Sequence, residues 1–225
     1  MHLESLVHGV INLEQLDPEY GAERRRLSIL KYRGRKYRGG FHDYVIRKGG
    51  LVVFPRLVAA EYRTEFVSSQ MSSGIKELDS LVGGGLDLGT SVLAIGPAGV
   101  GKSTLTLQYA VNAAAQGKRA VIFIFDERIH SILERAKGLG MDLEKHVNSG
   151  MIELIPVDPA ELSPGEFAQR VKDAAEETDD KPGASVIVID SLNGYMQAMP
   201  QEKFLISQLH ELLAYLGHKQ VITFL

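Results

Sequence analysis

Eight consecutive residues carry the strongest chemical signal in the chain: Gly96-Pro97-Ala98-Gly99-Val100-Gly101-Lys102-Ser103. They match G-x-x-x-x-G-K-[ST] at every fixed position. They also stand where that pattern has to stand, after a short apolar run ending at Ile95 and at the start of a helical stretch from about Lys102 to Gln116. Gly99 and Gly101 permit backbone conformations that turn successive N–H groups inward as a nest for an anion. The positive end of the helix dipole adds to that field. Lys102 then reaches the β- and γ-phosphates of a nucleotide, and the Ser103 hydroxyl completes a magnesium shell. The binding set read from this pattern is Gly96, Gly99, Val100, Gly101, Lys102, Ser103 and Thr104, with ATP and Mg2+ as the ligands.

Two acidic signals accompany it. Val186-Ile187-Val188-Ile189-Asp190 is a buried strand closed by an aspartate, and ligands of open α/β sheets sit at the carboxyl ends of strands. Asp190 is therefore expected to hold the magnesium together with Ser103. Phe125-Asp126-Glu127-Arg128 places two acids at the exit of the strand after the phosphate-loop helix. Glu127 is the candidate base for the attacking water or a substrate hydroxyl, and Asp126 its assistant. The competing reading is a surface turn in which Asp126 caps the next helix. Other chemistries find little support. His210-Glu211-Leu212-Leu213-Ala214 lacks the second histidine of a zinc-protease helix, His42 and His130 have no metal-ligand spacing, and Gly-x-Ser-x-Gly is absent.

The elements that would position these residues alternate. Strands are expected at Ser91–Ile95 (buried), Ala120–Phe125, Met151–Val157, Ser185–Ile189 and Gln220–Leu225. Helices are expected at Lys102–Gln116, Arg128–Leu139, Pro164–Glu177 and Gln201–Leu216, the last with an apolar stripe through Phe204, Leu205, Leu209, Leu212, Leu213 and Leu216. Alternation of this kind predicts a parallel α/β sheet with helices on its faces. Residues 1–60 differ. Leu6–Leu13, Leu27–Tyr32, Phe41–Ile46 and Leu51–Phe54 read as short antiparallel strands without helices, too few to bury a core alone. The chain stops inside the fifth expected strand, which reads as a cut piece of something longer.

Composition narrows the class. Hydrophobic residues make up 44% of the 225, enough for one sizeable core, and no cysteine is present, which excludes a disulfide scaffold and thiolate metal sites. No apolar run approaches the length of a membrane span, and no signal peptide is evident, so a cytoplasmic protein is expected. The net charge of -3 conceals an asymmetry: residues 1–66 hold 12 Lys/Arg and 8 Asp/Glu, and Arg24–Arg38 alone holds eight basic residues and no acid. Such a stretch can hold phosphate, or it can be a strand edge kept soluble by its charges.

These residues resemble a known family. Ser73-Gly74-Ile75-Lys76-Glu77-Leu78-Asp79, Gly83-Gly84-Gly85-Leu86, Gly89-Thr90 and the phosphate loop together look like the start of a RecA-superfamily lobe of the KaiC and RadA type. Asp126-Glu127 sits where KaiC lobes carry paired glutamates, and Gly138 to Leu143 is similar to a further family segment. Arg24-Arg25-Arg26-Leu27, Ile29 to Gly34, Phe41-His42-Asp43-Tyr44 and Val53-Phe54-Pro55 are similar to the closing strands of a first KaiC lobe. The resemblance implies a RecA-like P-loop NTPase fold with a parallel core sheet flanked by helices and an N-terminal antiparallel β segment. It divides the chain into closing strands of a preceding lobe (1–60), a linker (61–73) and an ATPase lobe (74–225). It implies a ring, hexameric in the full-length protein, in which Lys31 and Arg33 reach a neighbour's γ-phosphate, with a KaiB-like regulatory partner. The implied activity is ATP hydrolysis between subunits, with autokinase activity, in signalling or circadian-type regulation. The alternative is a RadA-like recombination ATPase on single-stranded DNA, but the loop Asn193–Lys203 has one lysine against Glu202, and nucleic acid is not expected. Residues 1–60 are expected either to continue the lobe's sheet or to swap onto a neighbouring chain.

Overall fold

A computed structural model describes residues 5–17, 21–62, 69–197 and 205–225. Five parallel strands form the central sheet: β7 (Ser91–Val92), β8 (Ala120–Ile124), β9 (Ile152–Pro156), β10 (Val186–Asp190) and β11 (Ile222–Phe224), in the order β7-β11-β10-β8-β9. Because the sheet is covered on both faces, β8 and β10 read as continuous apolar runs, and side-chain alternation sends successive residues to opposite cores. Val121 and Phe123 join Ile187 and Ile189 beneath helices α5 (Pro164–Ala175) and α7 (Leu205–His218). Ala120, Ile122 and Ile124 join Val186, Val188 and Phe224 beneath α2 (Lys102–Ala115), α3 (Ile129–Gly138) and α4 (Leu143–Asn148).

The expected α/β architecture is present, with instructive differences. The strand before the phosphate loop is not the buried run Ser91–Ile95. Only Ser91–Val92 pairs as a strand, Ala94 N–H adds one bond to the Leu225 carbonyl at 2.9 Å, and Ile95 is 84% exposed. The cause is topological: among the described residues β7 is an edge strand with β11 as its one partner, so its side chains gain cover from one side only. Short elements without a long period also went unpredicted, namely β5 (Gln70–Met71), α1 (Lys76–Leu81), β6 (Leu86–Asp87), α4 and α6 (Leu192–Gln197). Phe204 and the expected helix start at Gln201 lie outside the described residues. So do 63–68 of the expected linker and 198–203 of the loop considered for DNA.

The N-terminal strands β1 (Gly9–Leu16), β2 (Arg24–Tyr32), β3 (Phe41–Arg47) and β4 (Gly50–Phe54) form an antiparallel meander of their own. This corrects the expectation that they continue the lobe's sheet: among the described residues no ladder joins the two sheets, and the meander packs on α5, with the turn Ala59–Tyr62 following it onto α7. The reason lies on its inner face. Asp43 accepts from Gly165 N–H at 2.7 Å, Arg47 pairs with the buried Glu166 at 2.6 Å, and Arg24 donates to the Leu162 carbonyl at 2.7 Å. Ala59 N–H donates to Glu211 on α7 at 2.8 Å. The outer face leaves Ile11, Leu13, Ile46 and Leu51 more than half exposed. Among the described residues no helix is long and apolar enough to cross a membrane.

Candidate active site

Parallel pairing throughout the central sheet puts the carboxyl ends of all five strands along one edge, and the motifs follow those ends. The phosphate loop leaves β7, Phe125-Asp126-Glu127 leaves β8, and Asp190 closes β10. Asp190 lies opposite Ile124 in the ladder, and Phe125 N–H donates to the Asp190 carbonyl at 2.8 Å, which ties the two acidic segments together. A cavity of about 290 Å³ at this edge is lined by Gly96, Lys102, Ser103, Thr106, Asp190 and Ser191, among others.

The loop has the backbone that an anion nest needs. Gly99 and Gly101 adopt φ of 79° and 101°, a region that L side chains rarely enter. Gly101 is the N-cap of α2 and offers no side-chain cap, so the first N–H groups of that helix remain available. Lys102 Nζ already lies inside the turn, donating to the carbonyls of Gly96 at 2.8 Å and Pro97 at 2.9 Å. A triphosphate fits this arrangement by replacing those two carbonyls as the partner of the ammonium. Magnesium fits as well: a hydroxyl from Ser103 and a carboxylate from Asp190, both oxygen donors, line one cavity. Val100 is exposed, and Thr104 follows in the first turn of α2.

The acidic pair divides in two. Asp126 does not cap α3, whose N-cap is Arg128 without a side-chain bond; it accepts instead from Ser191 Oγ at 2.7 Å. Ser191, joined to Asp190 by a cis peptide, accepts in turn from Gly194 N–H at 3.0 Å. Glu127 accepts a two-pronged pair of bonds from Arg135 on α3, at 2.5 and 2.9 Å. None of Ser191, Gly194 and Arg135 belongs to a motif whose spacing signals a role at this site. Glu127 precedes its helix, so its pairing with the residue eight positions on follows no helical spacing.

The serine-glycine segment ahead of the loop acts as a clip. Asp79 accepts from Ser72 Oγ at 2.5 Å and from Ser73 N–H and Oγ, both at 2.7 Å, which holds its carboxyl below the ordinary range, the Ser72 bond contributing most. Gln108 and Asn112 on α2 donate to the Ser73 and Ser72 carbonyls at 2.9 and 2.8 Å, so the clip fastens the helix that carries Lys102 and Ser103. Lys31 and Arg33 lie elsewhere. Lys31 pairs with Val10 in the meander, Arg33 donates to the Ser5 carbonyl at 3.0 Å, and neither is among the residues lining the loop's cavity.

A parallel sheet with a glycine-rich phosphate turn at one strand end, and acids at two neighbouring ends, defines a RecA-like P-loop domain. Residues 71–225 match the family model described as "ATPase: KaiC". The chain is 31% identical over 181 residues to the circadian clock oscillator protein KaiC of Synechococcus elongatus, covering 80% of this chain and 34% of that protein. Similar matches are found to the proteins of the same name from Rippkaea orientalis (31% over 185 residues, 82% and 34%) and Parathermosynechococcus lividus (30% over 185 residues, 82% and 33%). The chain belongs to the KaiC ATPase family. It spans about one third of the length of these relatives.

Proposed function

We propose that this chain carries an ATP-hydrolysing site of the KaiC type. The observation that carries the reading is the convergence of the phosphate turn, Ser103 and Asp190 on one cavity, at the sheet edge where Asp126 and Glu127 also emerge. Lys102 and the amides of Gly99 to Ser103 bind the phosphates. Ser103 and Asp190 hold magnesium, which when bound neutralises charge building on the phosphate oxygens. Glu127 takes the proton of the attacking water, and Asp126 keeps the neighbouring Ser191 turn in register. Lys31 and Arg33 supply positive charge across a subunit boundary in a closed ring, hexameric in the full-length protein; that neither lines the chain's own phosphate-loop cavity accords with a trans role. A role in circadian-type regulation follows the relatives' name, a KaiB-like partner and autokinase activity follow the family resemblance of the residues, and all three are proposed for the whole protein.

The test is a pair of variants. Lys102→Ala is expected to abolish ATP binding in calorimetry. Glu127→Gln is expected to keep binding and to slow turnover by about a hundredfold or more, the size of a lost general base. An unchanged turnover rate in Glu127→Gln would refute its assignment.

A further inference from the structure

Glu127 is gripped at both carboxylate oxygens by one side chain, Arg135. Arg135 donates from Nη1 to Oε1 at 2.5 Å and from Nη2 to Oε2 at 2.9 Å, with the two side chains 33% and 31% exposed. The Nε of the same guanidinium is buried and has no hydrogen-bond partner among the described residues, so the only hydrogen bonds it makes there are those to Glu127. The positive charge of Arg135 is favoured first by the bond to Glu127 and further by the charges of Glu127 and Asp190, against the cost of its burial. Arg135 therefore senses both carboxylates that the proposed reaction uses.

The geometry suits a holding role. A planar guanidinium that grips both oxygens of a carboxylate sets its plane as well as its place, which a lysine cannot do. The grip takes one lone pair from each oxygen and leaves another on each to accept from water. A purely structural pair would be a weak device here. Partly exposed ion pairs add little to stability, and the turn is already fastened by the bond from Phe125 N–H to Asp190.

We infer that Arg135 is a positioning residue for Glu127, fixing the carboxylate at the carboxyl end of β8, next to the strand that Asp190 closes, so that turnover depends on it and nucleotide affinity does not. This rests on the ATPase reading above. The test compares Arg135→Ala and Arg135→Lys, each alone and combined with Glu127→Gln, in the full chain. Arg135→Ala is expected to lower kcat by about tenfold to a hundredfold, the effect of a misplaced catalytic group, with KM and the calorimetric affinity for ATP changed less than about twofold. Arg135→Lys recovers part of the loss. In the Glu127→Gln background Arg135→Ala adds nothing, because the two act as one unit. In nucleotide-free protein, hydrogen exchange of residues 125–129 rises in Arg135→Ala while that of α2 stays the same. An unchanged or increased kcat, additive losses, or unaltered exchange at 125–129 would overturn the inference. Failure of the unmutated chain to bind ATP, or binding that survives Lys102→Ala, would bring down the ATPase reading itself, and calorimetry shows that before any Arg135 variant is compared.

Discussion

Phe167 offers a direct test of how the acidic turn is supported. It lies fully buried on α5, and its ring meets Phe123 and Phe125 at centroid distances of 5.5 Å each, edge to face, and Tyr195 on α6 at 4.9 Å. Phe125 immediately precedes Asp126, and Tyr195 follows Asp190 by five residues, so this ring supports the acidic segments at the ends of β8 and β10. Truncating a buried phenylalanine to alanine costs about 3–5 kcal/mol. Three aromatic contacts, worth about 0.5–1.5 kcal/mol each beyond burial, place Phe167→Ala toward the upper end of that range. For a chain of 225 residues, each kcal/mol lowers the melting temperature by about 2–4 °C, so a fall of roughly 8–20 °C is expected. Urea titration followed by circular dichroism measures the free energy, and hydrogen exchange reports on residues 125–129, where protection should fall. A loss below about 1 kcal/mol, or full protection of 125–129 despite a large loss, would refute the claim that the aromatic cluster supports the site.

Two further expectations concern neighbouring elements. A Cβ added at Gly194 would stand 2.8 Å from Asp126 Oδ2 and 2.9 Å from the Phe125 Cβ, so Gly194→Ala should displace Asp126 and break its bond from Ser191. We expect turnover to fall about tenfold while stability drops by no more than about 1–3 kcal/mol, as kinetics and thermal melts on one preparation would show. Asp79 sets a pH dependence. Its folded pKa is depressed below the ordinary 3.8 by the Ser72 and Ser73 bonds, so its stabilisation is complete above that value and disappears as pH falls through the folded one. The stability gap between the unmutated chain and Asp79→Asn should stay constant from pH 7 down to about 5 and close below about 4; a gap that persists at low pH would refute the clip's carboxylate chemistry.

Much of the site could be read in the residues because each motif binds through its own backbone or lies at the end of its own strand. Gly96 to Ser103 needs only a strand before it and a helix after it, and Val186 to Asp190 advertises both burial and exit. The features missed depend on contacts between segments. Arg135 reaches Glu127 across a turn, Ser191 reaches Asp126 across 65 positions, and the meander's seat on α5 depends on Asp43, Arg47 and Arg24 meeting residues more than a hundred positions away. Sequence periodicity reports which face is buried, not what lies against it. The misread strand at Ser91–Ile95 makes the same point, because apolar residues beside a glycine-rich turn look alike in an edge strand and in a central one.

The place of β7 bears on the order in which the molecule is assembled. Its partners across the ladder are Thr223 and Phe224, more than 130 positions later in the chain. Loop-closure entropy makes so distant a pairing late and slow to form. On the ribosome, where earlier residues emerge first, α2 and the remaining strands can assemble while the phosphate turn still has nothing to hang from. The phosphate turn thus gains its seat only when β11 has been made, and a nascent lobe that had not yet reached β11 would have its earlier helices in place before it had a seat for the nucleotide.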